Sequence, residues 1–578
     1  MKYTCAKLLS AWLLSGALIS SCVKEKEDLR SDNRVINDAR KASNIRLVNP
    51  IGYNQVVING DTLTNYVIIP KSPQYPQWEY PGTTYFPSNG RLGNNWSIPR
   101  SLLKDDGTAM LKVEMNGFQL PLRTLEFKVQ EDHSRPMDYY LLAQKEDAFV
   151  IDAPPSVMPI PRSINPSPRP DHFKIRVVNM AARLADQGAN VENVALPLTL
   201  TYADGNTVSA LTSNIAPGQY SEYVEVPYGT YQFKILTPAG TQVAAHGGSL
   251  NEDAHKTEPT TSTIAKDTSG RPHAVSTGLT YAPIRTYQPG GIYTIVITPK
   301  KFIIPYYNGN PGEEVDMMQN GFDVIADISE PYNYQYTRIQ WVNALPGSAG
   351  ITMHMNGRKM DDGLSFAASS NYMTTVAEKT AFKAIDAAGK EIASAEYQLK
   401  AGDNYSVWLY EDAAGKAMIH VVTNNLSGIY TTIGNGGQDA TYDRFKRSFS
   451  TDIRFLNYCP DLPYITFTGT NGQPFTSGVN MALAQIPAGS SPYARFGATA
   501  VGYQIMAYRS TPSVIPGRWL EDIPVVKSEQ LIARRALYVR NKLPIQEPGV
   551  YTIALIGGYK NNTPSAQKAR MIIVKHTK

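Results

Sequence analysis

One five-residue segment recurs four times along the 578 residues of this chain. The copies are Ile45-Arg46-Leu47-Val48-Asn49, Ile175-Arg176-Val177-Val178-Asn179, Ile339-Gln340-Trp341-Val342-Asn343 and Ile453-Arg454-Phe455-Leu456-Asn457. A segment repeated at domain-sized intervals marks a repeated structural unit. Apolar, β-branched and aromatic residues around one polar position favour a strand. The closing asparagine suits the turn that follows, because its side chain bonds nearby backbone.

Three further marks follow each motif in register. An Asn-Gly or Asp-Gly pair comes 10 to 25 residues beyond the motif asparagine, at Asn59-Gly60, Asp204-Gly205, Asn356-Gly357 and Asn471-Gly472. Such pairs favour hairpin turns, where type I′ needs positive φ at both central residues. A Ser-x-Tyr element comes next, at Ser221/Tyr223, Ser370/Tyr372 and Ser491/Tyr493. A late strand centred on Tyr293, Tyr405 or Tyr551 completes the unit. In the first unit only the motif and the Asn-Gly pair are clear. Short strands joined by tight turns bury their apolar faces when two sheets stack about 10 Å apart. Units of roughly 110 to 160 residues suit such a sandwich. Tyr (35), Pro (40) and Gly (43) are plentiful and only 18% of residues are charged, as a turn-rich β protein requires.

The pattern predicts an all-β chain of tandem immunoglobulin-like β-sandwich domains behind a lipoprotein signal peptide and flexible tether. The expected divisions are a leader over 1–21, a lipidated tether over 22–41, a divergent domain with an aromatic loop over 42–153, and domains over 171–300, 333–430 and 450–578. The second carries a long insertion over 246–290. Seven prolines between 153 and 170 read as a stiff linker.

The marks Arg-Val-Val-Asn (176–179), the Asn-Gly hairpin, Ser-x-Tyr and Gly229-Thr230-Tyr231 resemble an uncharacterised immunoglobulin-like repeat family of bacterial cell-surface lipoproteins. The likeness covers units two to four, about two thirds of the chain. It implies a fold and a surface setting; the family brings no accepted activity and no catalytic residues.

The N-terminus gives the expected address. Lys2 and Lys7 precede an apolar run from Leu8 to Ile19, too short to span a bilayer comfortably. Ser20-Ser21-Cys22 then resembles a lipobox, which implies that Cys22 is acylated; an ordinary signal peptide is the alternative. Lys24-Glu25-Lys26-Glu27-Asp28 resembles the surface-export signal of some Gram-negative lipoproteins, and a solvated tether has the same composition. The expected place is the outer membrane, lipid-anchored and facing the exterior. With Cys5 lost and Cys22 lipidated, Cys459 stands alone and no disulfide is expected.

Motifs for chemistry are sparse. No zinc-spaced histidine pair, nucleophile elbow or phosphate loop is present, and Gly434-Asn435-Gly436-Gly437 lacks a helix-opening context. No cofactor is expected. His354, between Met353 and Met355, faces the polar side of its strand. Cys459 reads as a small buried apolar residue. Glu313, Glu314 and Asp316, and Asp361-Asp362, read as solvated loops without EF-hand spacing. The motif arginines Arg46, Arg176 and Arg454 read as charge on an outer face or sheet edge. A net charge of +5 supplies no nucleic-acid stripe.

What does not repeat is the aromatic loop between 72 and 100. Trp78, Tyr80, Tyr85 and Trp96 there suit sugar faces or a protein partner, or plug the end of their own sandwich. The expected function is a non-enzymatic lipoprotein that presents its domains for binding or scaffolding, in adhesion or surface assembly. Its partners are the membrane, through lipid, and a protein or glycan. The alternative is glycan or nutrient capture beside an outer-membrane uptake system, and the lesser one a hydrolase in the first domain.

Overall fold

The computed structural model describes residues 41–577, apart from 66–68, 71–77, 80, 117–120, 186–193, 246–263, 267–271, 275–283, 306–313, 425–450, 488–491, 497–501, 539–545 and a few single positions. The leader, Cys22, the tether, Tyr80, Asp362, Ser491 and the glycine cluster at 434–437 lie outside the described residues, as does the Trp78 side chain. The fold is all-β: tandem β-sandwiches punctuated by short 3-10 turns. No described helix is long and apolar enough to cross a membrane.

The chain separates into two compact units, one holding most of residues 1–139 and the other 140–578. In the first, Asp61–Thr62, Gln55–Ile58, Thr108–Asn116 and Pro121–Gln130 form one sheet, in that order. The motif strand Ala42–Val48 lies in the other, beside Asn95–Pro99. Ile45, Leu47, Val56, Leu111 and Val113 are buried between them. Asn59 (φ 52°) and Gly60 (φ 98°) form the expected positive-φ turn.

The second unit contains three modules of one plan. In the third repeat, Tyr336–Asn343 is flanked by Met373–Val376 and Asn404–Glu411, with Ala417–Asn424 outermost. The motif strand and the late strand run parallel, with Ile339 opposite Tyr405. A parallel pair needs a long crossover. Here the crossover supplies the second sheet: Arg358–Lys359, Thr352–Met355, Lys379–Ile385 and Glu391–Gln398. The same parallel pairing joins His172–Asn179 to Ile292–Pro305 and Thr451–Tyr458 to Gly549–Ile556. Alternate motif residues enter each module's own core: Ile175 and Val177, Ile339 and Trp341, Ile453 and Phe455.

The second module does not close near residue 300. Its late strand gains an antiparallel partner from Glu314–Ala326, as the late strands of its neighbours gain Ala417–Asn424 and Arg570–Lys575. Asn356 and Gly357 have positive φ, as a two-residue turn requires. At Asp204-Gly205 and Asn471-Gly472 only the glycine does, so those turns are of another type.

Each repeated mark has a physical task. The motif asparagine is buried and staples the strand end. Asn457 Nδ2 donates to the Leu462 and Met481 carbonyls (2.7 and 3.2 Å), and its Oδ1 accepts the Cys459 N–H (3.0 Å). Asn179 and Asn343 hold equivalent pairs of groups. The serine of Ser-x-Tyr accepts a motif-strand N–H: Val177 to Ser221 Oγ (2.9 Å) and Trp341 to Ser370 Oγ (3.0 Å). The late-strand tyrosine folds back on the chain before it. Tyr293 and Tyr405 accept the N–H five residues upstream, and Tyr551 donates to the Leu531 carbonyl (3.1 Å), with the Glu547 carbonyl at 3.4 Å. A Cβ at Gly291 or Gly549 would lie 2.6 Å from that ring, which accounts for glycine two residues earlier.

Asn457→Ala strips partners from three buried backbone groups, each costing about 1–3 kcal/mol when left unsatisfied. We expect a loss of about 3 kcal/mol or more in urea unfolding. A loss below about 1 kcal/mol would contradict the stapling role.

Candidate functional site

The motif arginines are not edge residues. Each motif strand lies inside its sheet, and Arg46, Arg176 and Arg454 are buried. Their strands are covered on both faces, so the alternate positions that read as outward are enclosed as well. In the first unit, Arg46 makes a two-pronged pair with buried Asp138 (2.9 and 2.6 Å). In the second module, Arg176 donates to the Pro161 carbonyl and to Thr294 Oγ1 (3.0 Å). Thr294 Oγ1 donates in turn to Asp327 (2.6 Å), which also receives the Tyr223 hydroxyl (2.9 Å).

The third and fourth modules meet face to face through these same strands. Val342, Trp408 and Val422 of one pack on Leu456, Tyr458 and Ala554 of the other. The Trp408 and Tyr458 rings stack at 4.8 Å. Beside this apolar patch lies a polar layer. Arg454 donates to the Thr423 carbonyl (2.7 Å), to Asn424 Oδ1 and to Thr552 Oγ1 (3.0 Å). His576 bonds Thr552 Oγ1 (2.7 Å) through one ring nitrogen and Tyr372 OH (2.9 Å) through the other. Asn424 Nδ2 donates to Tyr372 OH (2.6 Å) and to Ser406 Oγ (2.7 Å).

The Ser-x-Tyr tyrosines stack on guanidiniums: Tyr223 under Arg176 (4.6 Å), Tyr372 under Arg338 (4.5 Å) and Tyr493 under Arg454 (5.4 Å). The third unit, with Gln340 at the motif position, places Arg338 two residues earlier on the same face. The cation is therefore kept by a shift of position. Such stacking strengthens when water is excluded.

Burial shapes the titration of this layer. It holds His576 well below its ordinary range, and Arg454 and Arg338 push in the same direction. His420, bonded to Tyr458 OH at 3.0 Å, is held down to about 4 by burial and then by Arg454. Burial pushes the Tyr372 phenol up to about 12. At neutral pH the layer contains neutral imidazoles and phenols around fixed guanidiniums.

A second buried link joins modules two and four. Lys234 Nζ lies 2.9 Å from Glu547 Oε1, with side chains 4% and 1% exposed. The Ala533 N–H donates to the other carboxylate oxygen (3.1 Å), and Lys575 lies 3.7 Å from it.

The residues singled out in the aromatic loop are only partly brought together. Trp96 pairs with Leu47 in the sheet and rests on buried Phe86, with ring centroids 5.2 Å apart, so this tryptophan packs on its own sandwich. Tyr85 is half-buried. The backbone of Trp78 pairs with that of Pro70. Tyr332 and Tyr334, just before the third motif strand, are both more than 80% exposed. Asn333 fixes their turn by accepting the Gln335 and Tyr336 N–H groups (3.2 and 2.8 Å).

Cys459 is buried and its thiol is pushed up to about 12 by burial, which leaves it without thiolate character. His354 is half-exposed between buried Met353 and Met355. Among the described residues no group of three or more His, Cys, Asp or Glu is arranged to hold a metal ion.

Comparison with known proteins adds little. No family model matches the chain, and no curated protein matches it. Among solved structures, the Bacillus anthracis TIE protein is similar at a TM-score of 0.10 and 9% identity, over 87% of this chain and 67% of that one. A likeness so slight carries no argument about fold or function.

His576, Asn424 and Lys234 carry no local signature. The one signal for the joint was the motif itself: apolar on both alternations, as in strands buried on both faces.

Proposed function

We propose that this protein is a non-enzymatic, lipid-anchored lipoprotein of the bacterial outer membrane, of the uncharacterised immunoglobulin-like repeat family. It presents its β-sandwiches at the cell surface for adhesion or assembly. The observation that supports this reading is the locking of three successive modules through buried charged and apolar contacts. Modules that serve only as spacers need no such joints, whereas a scaffold that holds a binding surface in fixed geometry does. The preorganised turn that holds Tyr332 and Tyr334 in solvent offers two ordered rings to a partner, and ordering them beforehand lowers the entropic cost of binding.

Glycan capture is the second reading, and those exposed rings favour it as well. One set of variants separates the two. On the first reading, Cys22→Ala releases the protein from membranes and abolishes antibody labelling of intact cells. Retention of that variant in the membrane fraction would refute the anchor. In polysaccharide affinity gels the wild type then migrates unretarded. Retardation abolished by Tyr332→Ala/Tyr334→Ala, or by Trp78→Ala or Trp96→Ala, would replace adhesion with glycan capture.

A further inference from the structure

We propose that the joint between the third and fourth modules binds a small inorganic anion of the halide class, held by Arg338 and Arg454. The case begins with equivalent positions. Each motif strand lies parallel to its late strand, so Arg176 faces Thr294, Gln340 faces Ser406 and Arg454 faces Thr552. Two residues beyond the partner of that Thr or Ser, on the closing strand, stand Asp327, Asn424 and His576 in turn. In the second module this position supplies a carboxylate one hydroxyl away from the arginine. In the third and fourth it supplies an amide and an imidazole.

Two guanidiniums therefore act on His576 where the second module has one arginine with an acid: Arg454 in the joint, and Arg338, which lies on Tyr372 and also against Gly229 of the second module. Arg338 is 3% exposed and Arg454 is 0% exposed. Arg338 Nη2 and Arg454 Nε are buried and have no hydrogen-bond partner among the described residues. Neither guanidinium has a described carboxylate at ion-pair distance. Asp403, the residue before Arg338's partner in the strand pairing, receives the Tyr405 hydroxyl on its carboxylate (3.1 Å), and its carbonyl accepts the Arg338 backbone N–H. His576, which lies near both guanidiniums, is neutral and cannot offset them.

An uncompensated buried charge costs several kcal/mol, and an arginine cannot relieve it by losing a proton. Water satisfies a donor without removing the charge. An anion does both. The enclosure of both side chains favours a small ion without an organic tail, such as chloride, over a carboxylate ligand. Neutral His576 accepts a hydrogen from only one of the Tyr372 and Thr552 hydroxyls, which leaves the other hydroxyl a hydrogen to donate.

The test uses the full chain at pH 7.5. Its thermal midpoint is compared in sodium chloride and sodium gluconate at equal ionic strength, and the linewidth of chloride-35 is measured in solution. Chloride is expected to raise the midpoint by about 3 °C or more over gluconate, saturably, as ligand linkage requires. Chloride-35 broadening is expected to disappear in Arg338→Met/Arg454→Met. His576→Asp places a carboxylate where the second module has Asp327, and should close the gap between the two salts. Equal midpoints in chloride and gluconate overturn the proposal, as does broadening that survives the double arginine replacement. A chloride effect undiminished in a folded His576→Asp variant also overturns it. Should that variant fail to fold, the wild-type salt comparison and the linewidths decide.

Discussion

Replacing Glu547 with alanine should cost about 3–5 kcal/mol, as breaking a buried ion pair does. Lys234 is buried against that carboxylate, and removing the acid takes away the counter-charge that lies 2.9 Å from its ammonium. Burial already presses the Lys234 pKa downward, and the attraction of Glu547 works against that. The Ala533 N–H would lose its acceptor as well. A second variant separates charge from packing. Lys234→Met/Glu547→Leu removes both ions and should recover most of the stability, because apolar residues of similar size replace buried ion pairs at little cost. Urea unfolding of the wild type and both variants checks the pair. A Glu547→Ala loss under about 1 kcal/mol, or a double variant no better than the single one, would show that the link does not hold the modules.

Mild acid should loosen the joint between modules three and four. His576 and His420 are neutral in the folded protein, both with pKa values held below the ordinary 6.5. Around His576 stand Tyr372, Thr552, Arg338 and Arg454; around His420 stand Tyr458, Tyr410 and Arg454. None of these is an acid that would welcome a proton. The unfolded chain takes up protons at these sites near pH 6.5, and the folded one does not. Stability is therefore fully present above about 6.5 and falls as pH drops toward 4, by up to about 1.4 kcal/mol per histidine for each pH unit. Thermal midpoints between pH 7 and 5 measure the slope above the range of ordinary carboxylates. His420→Gln/His576→Gln should flatten it. A wild-type midpoint unchanged over that interval, or a slope that persists in the double variant, would remove the histidines from the account.

Both effects arise at places that the linear pattern does not mark. Lys234 and Glu547 are 313 residues apart and belong to different repeats. His576 follows the last strand as one of eight scattered histidines. Trp96 shows the converse: it is conspicuous in the sequence, and its ring rests on Phe86.

The sequence by itself determined the module. Its repeated strand, glycine turns, Ser-x-Tyr and late tyrosine all act within about 130 residues, through backbone geometry and short-range hydrogen bonds that any copy makes alone. It also marked the asparagine as a turn residue, because Asx bonding is local. The tertiary structure alone decided what the other face of each motif strand meets. Alternation along a strand separates two faces but cannot say that a second sandwich covers the outer one, as it does between the third and fourth modules. Once it does, an arginine that reads as edge protection becomes a buried cation, and its energy depends on which residue closes the neighbouring strand: Asp327 in one module, Asn424 and His576 in the next two.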